Sequence, residues 1–130
     1  MCGVIPNLSF NKLDKFPLYL CKSKVLNTTA VLKIETIVVG MFQCNCRIIS
    51  SERSSEAVVI DPGDEAEDIL SYLETKNLTV KAIIHTHAHL DHILGLSWVF
   101  DTWGVLPRLH PSDNLTWEQA PVAAELYGVQ

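Results

Sequence analysis

From Lys33 onward the chain alternates short apolar runs with turn-forming residues. Residues 33–39 and 44–50 are rich in β-branched and apolar side chains, with Gly40 punctuating between them. A polar turn, Ser51 to Ser55, leads to a third run, Ala57 to Ile60, closed by Asp61-Pro62-Gly63. Such runs with turn chemistry between them predict three antiparallel strands. A helix should follow. Asp64 is placed to cap it, Glu67 stands three residues on, and Glu65 and Asp68 suit its first turn. Ala66, Ile69, Leu70 and Leu73 fall on one face at helical spacing, and Asn77 ends the segment. Val80 to Ile84 is a continuous apolar strand. A second helix is expected to start near Asp91, with Ile93, Leu96, Phe100 and Trp103 on its apolar face and Gly104 as its stop. Val105 to Leu109 reads as a further strand, and Pro121 to Tyr127 as a short helix with proline near its start and Gly128 after its end.

The order β-β-β-α-β-α-β-α is that of an α/β (α+β) half-sandwich, a mixed sheet with helices on one face. Its other face is expected to be apolar and to need a cover. Residues 1–32 lack any such period. They hold four lysines and one acid, with scattered Ser, Asn and Pro and no arginine. The expected organisation is a basic leader or loosely ordered extension at 1–32 and one domain at 33–130; a transit peptide is the alternative for the leader.

Composition narrows the partners. The chain is 48% hydrophobic and 19% charged, a globular profile. Its formal net charge is -5, and the acidic excess lies after residue 32, where six basic residues face 14 acidic ones; this argues against a nucleic-acid partner and for a small-molecule substrate. No apolar run has the length of a membrane span. Of the four cysteines, Cys2 and Cys21 lie in the leader, while Cys44 and Cys46 sit two apart on one face of a strand, where they have no segment to staple. Reduced thiols and a cytoplasmic location are therefore expected, with a plastid or mitochondrion as the alternative if residues 1–32 act as a transit peptide. Trp98, Trp103 and Trp117 read as core or cover residues, since nothing basic interleaves with them.

The chemistry concentrates in one segment. Four of the five histidines fall between residues 85 and 92. His87-x-His89-x-Asp91-His92 puts three imidazoles and a carboxylate on a loop at the end of an apolar strand. Imidazole nitrogen and carboxylate oxygen suit zinc, with iron or manganese possible. In an extended segment His87 and His89 point to the same side, while Asp91 and His92 swing toward a neighbouring position. Two pairs aimed at up to two adjacent ions is the reading this spacing supports.

Thr86-His87-Ala88-His89-Leu90-Asp91-His92, followed by Gly95, resembles the signature of the metallo-β-lactamase superfamily. Val39-Gly40-Met41-Phe42-Gln43-Cys44-Asn45-Cys46, Val58-Val59-Ile60-Asp61-Pro62-Gly63 and Leu109-His110-Pro111 resemble its glyoxalase II-like branch. The resemblance implies the αββα sandwich fold, with His87 and His89 on a first metal and Asp91 and His92 on a second. It makes Asp91 a candidate catalytic residue and gives Asp61 the role of supporting the metal loop by orienting its ligands. It also implies hydrolysis of a thioester or related ester by metal-activated water, in this branch commonly a thioester of glutathione.

In that family a third histidine and a bridging aspartate follow further along, and the sequence here ends at Gln130 before them. Arg47 stands where the branch usually carries a tyrosine. His110, the one remaining histidine, is read as a surface or loop residue. The expectation is thus the N-terminal half of the sandwich, with association, including a homodimer, through its uncovered sheet face. Two alternatives stand beside the hydrolase. One is a truncated, non-catalytic remnant or isoform with weak metal binding. The other is a lactonase, phosphodiesterase or sulfur dioxygenase on the same fold.

Overall fold

The computed structural model describes residues 31–129. The expectation for residues 1–32 lies, except for Val31 and Leu32, outside them. Five strands form one sheet in sequence order: β1 (Leu32–Val39), β2 (Cys44–Ser51), β3 (Glu56–Ile60), β4 (Thr79–Ile84) and β5 (Pro107–Arg108). The first three pair antiparallel, as their short turns require, and β3–β4 and β4–β5 pair parallel. The parallel pairs need crossovers. Helix α1 (Glu67–Thr75) supplies the first; α2 (Leu90–Ile93) and α3 (Leu96–Trp103) supply the second. A 3-10 turn (Pro111–Asp113) then leads into α4 (Asn114–Tyr127). This is the mixed α/β architecture expected. No helix among the described residues is long and apolar enough to cross a membrane.

Alternation along the strands decides which face is covered. In β2, Cys44, Cys46, Ile48 and Ser50 are buried while Asn45 and Arg47 are exposed. The register carries this inward row across the sheet: Val39 faces Cys44, Ile48 faces Val59, and Val59 faces Ile83. Ile69 and Leu73 of α1 and Val99 of α3 close the core over that row. The opposite row, Ile34–Ile49–Val58–Ala82, lies on the other face, where Leu32, Ile34, Val38 and Ile84 are exposed. Both cysteines of β2 are free and buried.

Several element boundaries differ from the sequence reading, each for a local reason. Helix α1 starts at Glu67 behind Ala66, and Asp64 does not cap it. Glu65 adopts a positive φ of 52°, which turns the chain away, and Asp64 is drawn instead into contact with Gly40 and Gly95. The second helix is broken in two at Gly95, whose N–H leaves the helical pattern to donate to the Gly63 carbonyl at 2.6 Å. Its buried positions are accordingly Ile93, Leu96 and Val99, and Phe100 is exposed. The strand expected over Val105 to Leu109 contracts to Pro107–Arg108, with proline unable to donate to the ladder. Helix α4 begins at Asn114 and runs through Pro121 rather than starting there. Its entry is set by His110, whose Nδ1 accepts from the Ser112 N–H at 3.2 Å and so caps the preceding turn.

The Gly63–Gly95 contact brings the end of β3 against the loop after β4. A Cβ on Gly95 would stand 2.7 Å from the Gly63 oxygen, and one on Gly63 would meet Val39 Cγ2 at 2.6 Å in addition to a positive φ of 62°. Gly95→Ala is therefore expected to destabilise the full chain by about 1–3 kcal/mol through overpacking. Ile69→Ala, at a fully buried position, should cost about 2–5 kcal/mol. Chemical denaturation followed by far-UV circular dichroism measures both; an unchanged midpoint in either variant would contradict the packing described.

Candidate metal centre

The site is built where β4 ends. Ile83 is buried and Ile84 exposed, so the alternation turns the next residue, His85, inward, and its side chain is only 2% exposed. The chain then leaves the sheet, and Thr86 to His89 form a loop that α2 terminates. Asp61, one residue past β3, is the fixed point beneath this loop. Its N–H extends the ladder to the Ile84 carbonyl at 3.0 Å, and a positive φ of 51° turns the chain there. Aspartate tolerates that left-handed conformation better than most residues.

The buried Asp61 carboxylate accepts three hydrogen bonds from the loop: from the Thr86 N–H at 2.8 Å, from Thr86 Oγ1 at 2.7 Å, and from His92 Nδ1 at 3.1 Å. These bonds set the imidazole orientations. The Thr86 hydroxyl gives its proton to Asp61, so its oxygen accepts from His87 Nδ1, 2.9 Å away, and His87 Nε2 keeps its lone pair. The bond from His92 Nδ1 to Asp61 likewise leaves His92 Nε2 free to face outward. One carboxylate thus orients two histidines.

The outward atoms converge. His87 Nε2 and His89 Nδ1 are 3.0 Å apart, and His92 Nε2 and Asp91 Oδ2 are 3.1 Å apart. The His87 ring lies against both neighbours, with centroid separations of 4.5 Å to His89 and 4.1 Å to His92. All four residues singled out in the sequence therefore stand together. Nitrogen and oxygen donors at these separations fit divalent transition-metal ions, and the two pairs adjoin each other.

Three further residues belong to the site and escaped the sequence reading. Thr86 is the hinge between Asp61 and His87. His85 stands beneath the loop, its Nδ1 3.8 Å from Asp61 Oδ1 and neither ring nitrogen hydrogen-bonded. Burial lowers its pKa to about 4, against a smaller opposing pull from Asp61, so the ring is neutral. Cys44, at the start of β2, places its Sγ 3.7 Å from His92 Nδ1 and donates weakly to the Asp61 carbonyl, also at 3.7 Å. Burial pushes its thiol up to about 11, with the Asp61 and Asp91 carboxylates adding to the rise. Only the parity of an inward-facing strand position hinted at Cys44, since its neighbour His92 is 48 residues away. His110, by contrast, is exposed and occupied with its turn.

Beside the loop lies a cleft of about 680 Å³, with Phe42, His89 and Asp91 on one side and Thr116, Gln119 and Tyr127 of α4 on the other. Phe42 and Tyr127 meet edge to face at 6.0 Å. A second hollow of about 590 Å³, between Lys33, Ser50–Ser55 and Tyr72, contains none of the clustered residues. The chemistry belongs to the first.

Known proteins carry the same segment. Residues 39–125 match the sequence model of the metallo-beta-lactamase superfamily. The hydroxyacylglutathione hydrolase GloC of Haemophilus influenzae is 33% identical over 99 residues, which cover 75% of this chain and 46% of GloC. Among solved structures, TTHA1623 in a di-iron-bound form aligns with a TM-score of 0.65 and 33% identity, over 73% of this chain and 47% of that one. The BLEG-1 B3 metallo-beta-lactamase aligns with a TM-score of 0.58 and 36% identity, over 62% and 38%. In each comparison this chain spans less than half of its relative's length. Fold, matched segment and converging loop agree: the chain belongs to the metallo-beta-lactamase superfamily.

Proposed function

We propose that this chain carries the metal centre of a hydrolase acting on thioesters or related carbonyl esters, with a hydroxyacyl thioester of glutathione as the first substrate class. The observation that carries the reading is the convergence of His87, His89, Asp91 and His92 on a loop whose orientation Asp61 sets. The likeness to GloC supports the substrate class.

In this reading His87 and His89 would hold one ion, and Asp91 and His92 the other, with zinc as the leading metal and iron or manganese as alternatives. The chemistry such ions supply when bound is Lewis acidity, which polarises a carbonyl and acidifies water at neutral pH. The remaining work falls to the chain itself. Asp61 and Thr86 keep the imidazoles aimed before any ion arrives. The apolar edges of Phe42 and Tyr127 receive the acyl portion, and Thr116 and Gln119 offer hydrogen bonds to its polar groups. Asp91 lines the same cleft, and in this reading it would accept a proton from the attacking water. The water oxygen bonds to the acyl carbon, the carbon–sulfur bond breaks, and the thiol leaves with a proton.

One observation favours a second reading. Each pair in the loop offers two nitrogen or oxygen donors, whereas a catalytic zinc commonly takes three protein ligands. The chain would then hold metal weakly and turn nothing over.

The discriminating experiment follows thiol release from a hydroxyacylglutathione thioester by the zinc-equilibrated full chain. The hydrolase reading predicts release that falls by at least about 100-fold in His87→Ala and Asp91→Ala. No release, with little zinc retained once the excess is removed, would favour the second reading. Release that survives both substitutions would overturn the first. A separate prediction concerns Asp61→Asn, which keeps the side-chain size but weakens the hold on His92 and Thr86. Zinc affinity should drop by about 10–100-fold with the far-UV spectrum preserved; an unchanged affinity would remove Asp61 from the account.

A further inference from the structure

Resting on the metal-centre reading above, the geometry points to Cys44 as a third protein ligand, a thiolate, for the ion held by Asp91 and His92. Cys44, Asp91 and His92 each offer one ligand-type atom, and the three atoms lie within 4.8 Å of one another. Zinc sits about 2.3 Å from a thiolate and about 2.0–2.2 Å from nitrogen or oxygen ligands. Cys44 Sγ stands 3.7 Å from His92 Nδ1, and a rotation of the Cys44 side chain toward Nε2 would let all three residues reach one ion. His92 has its Nδ1 committed to Asp61, which leaves Nε2 as its metal-facing atom, already 3.1 Å from Asp91 Oδ2.

The fold brings the sulfur there by a specific device. Cys44 opens β2 on its inward face, at the sheet end nearest the loop, paired with Val39. Gly63 lies between Cys44 and the loop: a Cβ on it would stand 3.2 Å from Cys44 Cβ and 3.0 Å from the Asp91 carbonyl oxygen. Any larger residue would wedge the two apart. Cys46, two residues on along the same face, is fully buried in the core cluster and is not part of this three-residue group. His85, buried beside Asp61 beneath the loop, lies outside this three-residue group.

The binding step is simple in its balance. The Cys44 S–H bond breaks, the proton goes to solvent, and a sulfur–metal bond forms; no oxidant or reductant takes part. A thiolate in one position and none in the other makes the two positions unequal. The softer donor favours zinc over manganese at the Asp91–His92 position. It also gives that ion the three protein ligands that the loop alone does not supply.

Cobalt(II) reports the bond directly, because a thiolate on cobalt gives an intense charge-transfer absorption in the near ultraviolet that imidazole and carboxylate do not. The full chain, reduced and metal-free, is titrated with cobalt(II) alone beside Cys44→Ser, Cys46→Ala and a Cys2→Ser/Cys21→Ser double variant, the last removing the leader thiols. The expected result is a saturable charge-transfer band in the wild type, kept in Cys46→Ala and in the double variant and absent in Cys44→Ser. Cobalt affinity in Cys44→Ser should fall by at least about tenfold, the lower end of what losing even an outer partner costs. Cobalt that binds with only the weak visible bands of nitrogen and oxygen ligands would overturn the Cys44 assignment while leaving the metal centre standing. No cobalt binding at all would overturn both. If Cys44→Ser fails to fold, a band kept in both Cys46→Ala and the double variant still assigns it to Cys44, and a wild type without the band still overturns the assignment.

Discussion

The three hydrogen bonds into the Asp61 carboxylate join two strands, a loop and a helix at one buried point. Asp61 belongs to the end of β3, while Thr86 and His92 belong to the segment that follows β4. The loop is therefore tied to the sheet at both its start and its end. Without this tie, nothing in the Thr86–His89 stretch has regular structure to fix it, and the imidazoles would sample many directions. A buried carboxylate needs hydrogen-bond donors to offset its lost hydration, and the loop supplies them. Stability of the loop and orientation of its histidines are thus the same interaction seen from two sides. The Gly63–Gly95 approach is what permits it, since both backbones must come within hydrogen-bonding distance for His92 to reach Asp61.

Much of this was legible in the residues. The strand runs, the turn residues between them and the apolar face of α1 specified a mixed sheet with helices packed on one side. The density of ligand-type residues after an apolar strand marked the loop. What the pattern could not give was set by contacts distant in sequence. Asp64 looks like a helix cap locally, but the packing of Gly40 and Gly95 against it takes it elsewhere. The continuous apolar spacing from Ile93 to Trp103 hides a break at Gly95, because the competing acceptor is Gly63. Pro121 suggested a helix start, yet α4 begins at Asn114, directly after the 3-10 turn that His110 caps, and runs through Pro121. Cys44 carried no local sign of chemistry, because its partners arrive from the far end of the domain through tertiary packing.

The two faces of the sheet play different parts. The inward face supplies the core and, at its edge, Cys44 and His85. The outward face keeps Leu32, Ile34, Val38 and Ile84 exposed, so the metal loop sits where a buried surface and an open one meet. The cleft beside the loop is closed on one side by α4, a helix with no buried residue of its own. A wall of that kind adjusts to what it encloses more readily than a core helix does.

The most direct measurement is metal content. The full chain is equilibrated with zinc, freed of excess and analysed for the metal retained per chain, beside a His87→Ala/His89→Ala double variant whose fold is verified independently. The account predicts zinc retained in stoichiometric amount by the wild type, with the retained amount reduced in the double variant. Wild-type protein that retains no zinc, or a double variant that retains as much, would contradict it.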